Sequence, residues 1–476
     1  MEDPANAGPG RVVVVIPAHE EGDLVGEALE SLAAQTRVAD EVIVVADRCT
    51  DATRAVALGH GAEVRTTVDN DDKKAGALNQ VLASLLPRLS DNDAVLIMDA
   101  DSSLAPEFIA DATRALRSPE GDGAQVGGVG GVFLGYPVTG LLGRLQDNEY
   151  VRYARDIRRR HGRADVLTGT ASLFSVRALR FVDVARTTGL LPGGSGVYDT
   201  NALTEDNELT LALKHLGFRC VSPMTCLVGT ELMPTTNRLF HQRLRWQRGA
   251  LQNLLTYGVT RQTSPYLVRQ AMTYAAVGFL PFFVTAMAYT WLASKSVPWS
   301  WFWVFVTGFV VCERVWSVKG GGWRAVGLAV AVLPEVVYDF LLHAVYTRAL
   351  TDIATKAMAT WDRATESEAA ASRRRRPAWH AFAGALYTVL LLTIAVGAGV
   401  GLARVGAAWP LIAAFVLVGA ASAALRLLSI DLLRIILGSG ELRAFDYGNE
   451  SPQGFGGASV PIGRPSRMRH ETDAGG

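Results

Sequence analysis

Four groups of reactive side chains occur in a fixed order ahead of the first long apolar segment. They are Asp47, the pair Asp99 and Asp101, the run Thr204-Glu205-Asp206 and the run Gln242-Arg243-Leu244-Arg245-Trp246. A carboxylate at the first position can accept hydrogen bonds from a nucleotide base or ribose. Paired carboxylates at the second can hold a divalent metal on a pyrophosphate. A carboxylate in the third can deprotonate an attacking hydroxyl, and an arginine beside an indole in the fourth can face a departing diphosphate. Together these are the requirements of sugar transfer from a nucleotide diphosphate, and it is the ordered set, more than any one motif, that points there.

Each member also has a plainer reading. Asp47 lies in VVADRCTD, directly after an apolar run, where it serves either a ligand at a sheet edge or a helix N-terminus. Asp51 or Thr50 can do the capping instead. Asp99-Ala100-Asp101 follows AVLIM; two carboxylates at a strand end suit Mg²⁺ or Mn²⁺, whose other ligands are waters and phosphate oxygens, but the same residues also make ordinary turns. Lys73 and Lys74 open a helix with Ala75-Gly76, so ammonium charge and unsatisfied N–H groups favour a diphosphate over a merely solvated lysine pair. Thr204 is expected to cap a helix, with Asp206 as the base and Glu205 turned toward structure. Gln242, Arg245 and Trp246 recur at i, i+3, i+4 and share a helical face, with Arg243 and Arg248 off it. A juxtamembrane helix anchored by Arg and Trp has the same pattern, and both readings are compatible.

The elements that must position these groups follow from apolar periodicity. RVVVVI (Arg11 to Ile16), EVIVV (Glu41 to Val45), Ala62 to Thr66 and AVLIM (Ala94 to Met98) read as strands. Leu24 to Thr36, Thr50 to Leu58 and Ala75 to Leu86 read as the helices between them. Such alternation predicts a doubly wound α/β layer with its ligands beyond the strand C-termini, where Asp47 and Asp99 fall. Gly121 to Gly135 reads as strand plus loop, Val166 to Val176 as a strand with small residues at Gly169-Thr170-Ala171, and Glu205 to His215 as a helix.

The chain has 476 residues, a formal net charge of zero and 49% hydrophobic residues. Zero net charge gives no electrostatic case for nucleic acid. The apolar residues concentrate in Met272 to Ser294, Trp299 to Cys312 (extendable to Val318), Ala325 to Tyr346, His380 to Leu402 and Ala408 to Ser429. A catalytic domain at 11–250, interfacial amphipathic helices at 251–271, a transmembrane region at 272–430 and a disordered tail at 439–476 are therefore expected. Pro334, Glu335, Asp339 and His343 interrupt the third segment. With that segment re-entrant or interfacial, Arg314, Lys319, Arg324 and Arg373 to Arg376 all face the cytoplasm; this favours four crossings over five. Met1 to Gly10 lacks the features of a signal peptide, so the catalytic half is expected on the cytoplasmic side. Cys49, Cys220, Cys226 and Cys312 form neither a metal nor a disulfide pattern.

The stretches PAHEEGD (Pro17 to Asp23), VVADRCTDAT (Val44 to Thr53), KKAGALN (Lys73 to Asn79), DAD (Asp99 to Asp101), TEDNELTLAL (Thr204 to Leu213) and QRLRW (Gln242 to Trp246) resemble a membrane-integrated family 2 glycosyltransferase of the GT-A fold, of the cellulose, hyaluronan and poly-N-acetylglucosamine synthase group. The resemblance covers about residues 11–260. It implies a nucleotide-diphospho-sugar donor, UDP-linked in this reading, a Mg²⁺ or Mn²⁺ ion and inverting transfer. By position it assigns Pro17, Glu20 and Asp47 to the nucleotide, Lys74 and Asp99 to the sugar-diphosphate, and Asp101 to the metal. It gives Asp206 the base role and puts Gln242, Arg245 and Trp246 at the diphosphate and acceptor end. Gly169, Thr170 and Ala171, with Glu205 and Trp246, form the acceptor side. Two departures stand out: Glu20 occupies a place where many relatives carry Asn, and no apolar span precedes residue 11. The leading expectation is extension of a glycan at the lipid bilayer. Single transfer to a lipid or lipid-linked acceptor, and a catalytically silent membrane scaffold, are the alternatives.

Overall fold

The computed structural model describes residues 10–118, 125–136, 140–277 and 301–354. In chain order the first half runs β1 (Val12–Ala18), α1 (Val25–Ala33), β2 (Glu41–Ala46), α2 (Thr53–Gly59), β3 (Glu63–Thr66), α3 (Lys73–Leu85) and β4 (Ala94–Met98). It continues with β5 (Ser103–Leu104), α4 (Phe108–Arg117), β6 (Val126–Gly130), β7 (Val132–Gly135) and α5 (Leu141–Arg159). Then come β8 (Ala171–Ser175), α6 (Val176–Thr187), α7 (Glu205–His215), β9 (Arg219–Val221), β10 (Leu227–Thr230) and α8 (Thr236–Tyr257).

A seven-stranded sheet has the order β3-β2-β1-β4-β8-β6-β9. β8 runs antiparallel to both β4 and β6, while the other neighbours pair in parallel. The four strands of the predicted strand–helix alternation, β1 to β4, pair in parallel, and β8, outside that alternation, makes the layer mixed. Alternate side chains of the central strands enter two separate cores, as a strand's period of two requires. Val13, Val15, Ile43, Val45, Val95 and Ile97 pack with α3, α6 and α7, while Val14, Ile16, Val44, Leu96 and Met98 pack with α1 and α4. Both faces are covered, so these strands read as unbroken apolar runs. The chain places β2 and β3 on one side of β1 and then crosses to β4 on the other. The loops after β1, β2 and β4 thus open into one crevice.

Two sequence expectations shift here. The strand expected over Val166 to Val176 spans only Ala171–Ser175, because residues ahead of it are drawn into side-chain contacts instead of a ladder. The glycine-rich stretch gives two strands, β6 and β7, in different sheets; β7 joins β5 and β10 in a small three-stranded sheet.

Beyond α8 the chain forms a helix followed over 264–277, which we number α9, then α10 (Trp301–Val318), α11 (Gly322–Ala331) and α12 (Leu333–Ala354). Among the described residues no single helix is long and apolar enough to cross a membrane. One pair, Gly308–Ala331 with Leu333–Ile353, passes by length and composition and is bent by 82°. The break falls at Val332, whose φ of 56° is left-handed, and not at Pro334 as expected. Pro334 lies in the first turn of α12, where its missing N–H removes no intrahelical bond. Glu335 is buried and is held by Arg152 of α5 at 2.6 Å, by Arg314 of α10 at 2.9 Å and by Asn148 at 2.9 Å. The charges that interrupt this segment are thus answered by protein groups. The expected segments at His380 to Leu402 and Ala408 to Ser429, the Arg373 to Arg376 cluster, the tail and most of Met272 to Ser294 lie outside the described residues.

Candidate active site

The loop after β1 and the loop after β2 close on each other. Asp47 donates its backbone N–H to Ala18 O (2.9 Å), and its Oδ1 accepts from Thr67 Oγ1 (2.6 Å). It does not cap α2. Ala52 occupies the N-cap position, and Asp51 bonds the first residue of α2, its Oδ1 accepting from both the N–H (3.0 Å) and the hydroxyl (2.5 Å) of Thr53. Asp47 is therefore buried at the strand end with one carboxylate oxygen uncommitted to the helix. Glu20, at φ 58°, turns its Oε1 onto Thr50 N (2.7 Å) and Oγ1 (3.0 Å), fixing the rim of the crevice. Pro17 sits inside β1, opposite Val45.

Lys74 reaches from the first turn of α3 across the crevice. Its Nζ lies 2.6 Å from Asp99 Oδ1, at the end of β4, and 3.2 Å from Glu205 Oε1, at the start of α7. One ammonium group thus joins two of the motifs separated by a hundred positions. The flanking carboxylates hold its pKa above the ordinary lysine value despite the cost of burial, so it stays charged.

Asp206 is placed by two backbone donors. Gly169 N–H reaches its Oδ2 at 3.0 Å and Asn207 N–H its Oδ1 at 2.8 Å. Burial, and then the neighbouring Glu205 charge, push its carboxyl up to about 6. Glu205 goes the other way: Lys74 outweighs its burial and holds it below the usual carboxylate range. Adjacent acids with divergent proton affinities are what a division between anchor and base requires. Gly169, Thr170 and Ala171 connect the two acidic motifs: Gly169 donates to Asp206, and Thr170 O accepts from Asp99 N–H (3.0 Å). Ala171 begins β8 and pairs with Met98. A Cβ at Gly169 would stand 3.2 Å from Asp206 Oδ2 and 3.5 Å from Lys74 Nζ, so glycine keeps the approach open.

Thr204 occupies the N-cap position of α7, but its side chain does not cap the helix. Instead its Oγ1 accepts from Asn253 Nδ2 of α8 (3.3 Å), and a Cβ on Gly249 would collide with it. Tyr257 donates to Glu208 Oε1 (2.6 Å), and Arg186 pairs with the same carboxylate. These bonds lock α8 to α7 and bring the QRLRW segment to the acidic pair: the Arg245 charge adds to the lowering of Glu205 and opposes the rise of Asp206. Gln242 and Trp246 share a feature that their spacing did not reveal. Arg243, expected off their face, bends back, donates from Nη1 to Gln242 Oε1 (2.6 Å) and lies over the Trp246 ring at 4.3 Å.

Asp101 carries a hydrogen bond from Ser102 Oγ (3.2 Å), and burial together with Asp99 raises its carboxyl to about 6. Glu21, which sequence reading passed over in favour of Glu20, faces the same spot. Burial, Asp101, Asp99 and Glu231 raise it to about 7. Negative charge here exceeds what Lys74 neutralises, and the donors are hard oxygens, so a Mg²⁺ or Mn²⁺ ion fits. Among the described residues no group of three or more His, Cys, Asp or Glu could hold an ion. The signal for Glu21 was its place beside Glu20 after a strand, and that for Arg243 its place inside QRLRW; Glu231 had none.

Residues 9–249 match the sequence model of the family described as "Glycosyltransferase like family 2". The chain is similar to the poly-β-1,6-N-acetyl-D-glucosamine synthase of Staphylococcus aureus, 23% identical over 253 residues that make up 51% of this chain and 55% of the relative. It is also similar to the β-monoglucosyldiacylglycerol synthase of a Synechocystis species, 24% identical over 256 residues, 52% of this chain and 49% of the relative. The chain thus spans about half the length of the curated relatives it matches. A solved mannosyltransferase from Pyrobaculum calidifontis, in complex with GDP-Man and Mn²⁺, aligns over 75% of this chain and 92% of its own at 19% identity and a TM-score of 0.49. Glucosyl-3-phosphoglycerate synthase from Mycobacterium tuberculosis, with Mn²⁺ and UDP, aligns over 53% and 80% at 21% identity and a TM-score of 0.34.

Proposed function

The chain belongs to glycosyltransferase family 2 and is a glycosyltransferase with a mixed α/β sheet of the GT-A type; from that premise we propose that it moves a sugar, with inversion, from a nucleotide-diphospho-sugar to a growing glycan at a membrane surface. The observation that carries the reading is Lys74 held between Asp99 and Glu205, with Asp206 beside Glu205 and raised to about 6.

In this reading Asp47 and Glu20 hold the nucleoside, and Lys74 with Arg245 and Gln242 hold the diphosphate. Asp101 and Asp99 would hold Mg²⁺ or Mn²⁺, which when bound neutralises charge on the phosphate oxygens. Asp206 takes the proton from the acceptor hydroxyl as that oxygen bonds to the anomeric carbon and the bond to the diphosphate oxygen breaks. Gly169 N–H keeps the carboxylate aimed while the rim from Gly169 to Ala171 receives the acceptor. Trp246 offers a ring face to a sugar.

The membrane setting is supported by exposed apolar side chains on the bent helix pair, among them Trp316, Trp323, Leu333 and Val337. Lys319 lies 3.7 Å from the Trp316 ring centre and Arg324 5.3 Å from that of Trp323, a pairing suited to a headgroup layer. The test is to incubate membranes holding the full chain with a panel of labelled nucleotide sugars and Mn²⁺ or Mg²⁺, then size the product. A long labelled glycan supports the reading. A single labelled sugar on an organic-soluble lipid would replace glycan extension by single transfer. No release of nucleoside diphosphate from any donor would return the silent scaffold.

A further inference from the structure

α5 joins the catalytic layer to the bent helix pair through two sets of polar residues. Toward α8, Glu149 receives Arg243 in a two-pronged bond, Nε to Oε1 at 3.2 Å and Nη2 to Oε2 at 3.1 Å. Gln146 clamps the segment before α8 through both backbone groups of Met233, each at 3.0 Å. Toward the apolar helices, Asn148 and Arg152 hold Glu335. The two sets meet at one oxygen: Tyr338 of α12 donates to Glu149 Oε2 at 2.5 Å. Arg243 is buried, and its guanidinium also carries Gln242 and underlies Trp246.

We propose that Glu149 is a positioning residue for the transfer reaction, fixing Arg243 so that Gln242 and Trp246 face the departing diphosphate and the acceptor, and that Tyr338 makes this setting depend on α12. The inference rests on the proposed function, since it presumes that Gln242 and Trp246 act on donor and acceptor. A planar guanidinium gripped by a carboxylate on one edge has its plane and direction set. A second donor on the same carboxylate removes the freedom that would remain. α12 also grips the middle of α8, just beyond Trp246, where Asp352 lies 3.5 Å from Arg248. Any displacement of α12 along the bend is therefore transmitted to the segment that carries Gln242 and Trp246. Glu149 touches neither reacting group directly, so its loss should act on turnover by misplacement, which can exceed tenfold for about 1 Å.

The experiment uses the full chain in detergent, with UDP-glucose, UDP-N-acetylglucosamine and GDP-mannose as probes, Mn²⁺ present, and nucleoside diphosphate release as the readout. Wild type is measured first; release from none of the three would take down the functional reading and this inference with it. On the donor that works, Glu149→Gln should lower kcat about tenfold and Tyr338→Phe about threefold, each with the donor KM within about twofold. Glu149→Gln added to Arg243→Gln should cost nothing more than Arg243→Gln alone, because both break one chain of contacts. A folded Glu149→Gln protein with wild-type kcat overturns the proposal, as do losses that multiply in the double variant. Should Glu149→Gln not fold, Tyr338→Phe decides: wild-type kcat there overturns it as well.

Discussion

The backbone N–H of Gly169 and the carboxylate of Asp206 are 3.0 Å apart, joining the segment that leads into β8 to the first turn of α7. Thr170, the next residue, takes the backbone N–H of Asp99. Three consecutive positions therefore touch the proposed base on one side and the proposed metal-binding end of β4 on the other. Small shifts in this segment should reach both.

Asp206→Asn keeps the shape and both backbone hydrogen bonds but removes basicity. Turnover should fall about 10²–10⁴-fold, while nucleotide-sugar affinity, read by calorimetry or fluorescence, stays near wild type. Near-normal turnover in the folded variant would take Asp206 out of the mechanism.

The same carboxylate sets a pH limb. With its pKa at about 6, Asp206 is ionised and basic above that value and protonated below it. With metal saturating, kcat/KM should fall as pH drops through about 6, approaching tenfold per unit, and the limb should be missing from the residual activity of Asp206→Asn. A flat wild-type profile from pH 5 to 8 contradicts this.

Metal should stabilise the fold more at high pH than at low. Asp101 at about 6 and Glu21 at about 7 bind protons more tightly in the folded chain than when unfolded. Without metal, their contribution to stability is therefore complete at low pH and lost as pH rises through 6 to 7. Mn²⁺ should raise the melting temperature more at pH 8 than at pH 5, and Asp101→Asn should abolish most of that rise. Excess chelator should stop turnover, with Mg²⁺ or Mn²⁺ restoring it; full turnover in chelator refutes the assignment.

Gly169→Ala places a methyl 3.2 Å from Asp206 Oδ2, tighter than ordinary contact, at a carboxylate pinned by two N–H groups. Turnover should drop about tenfold with little change in melting temperature, since the backbone there has no left-handed φ to lose. An unchanged kcat would show that Asp206 can give way without consequence.

The legible parts of this chain are those where local pattern and tertiary role coincide. β4 and α7 have the boundaries that AVLIM and the TED run predict, because an apolar run bounded by polar turns and a helix opening on acids are both local signals. The meeting of Lys74 with Asp99 follows from motif order and sheet logic, whereas the arrival of Glu205 on the same ammonium was not read from the sequence. Reversal of β8 was not legible, since strand direction depends on partners far away. Thr204 was misread as a side-chain cap because its local context suits one, and only the approach of Gly249 and Asn253 from α8 shows otherwise. Glu149 sits in a charged helical stretch with no motif, and its meaning comes from Arg243 and Tyr338, 94 and 189 positions away.

The grip of α12 on α8 also bears on how a working fragment could be cut. A piece ending at Tyr257 would retain Asp47, Asp99, Asp101, Glu205, Asp206 and the QRLRW segment, and would cover the whole family match. It would nonetheless strip the Tyr338 hydroxyl from Glu149 and the Asp352 carboxylate from Arg248, whose buried Nε has no hydrogen-bond partner among the described residues. The apolar surface shared by Leu145, Leu239 and Tyr338 would open to solvent as well. The smallest unit worth expressing is therefore bounded by α12 and not by the last motif, and a soluble truncation that looks complete on paper would be expected to aggregate.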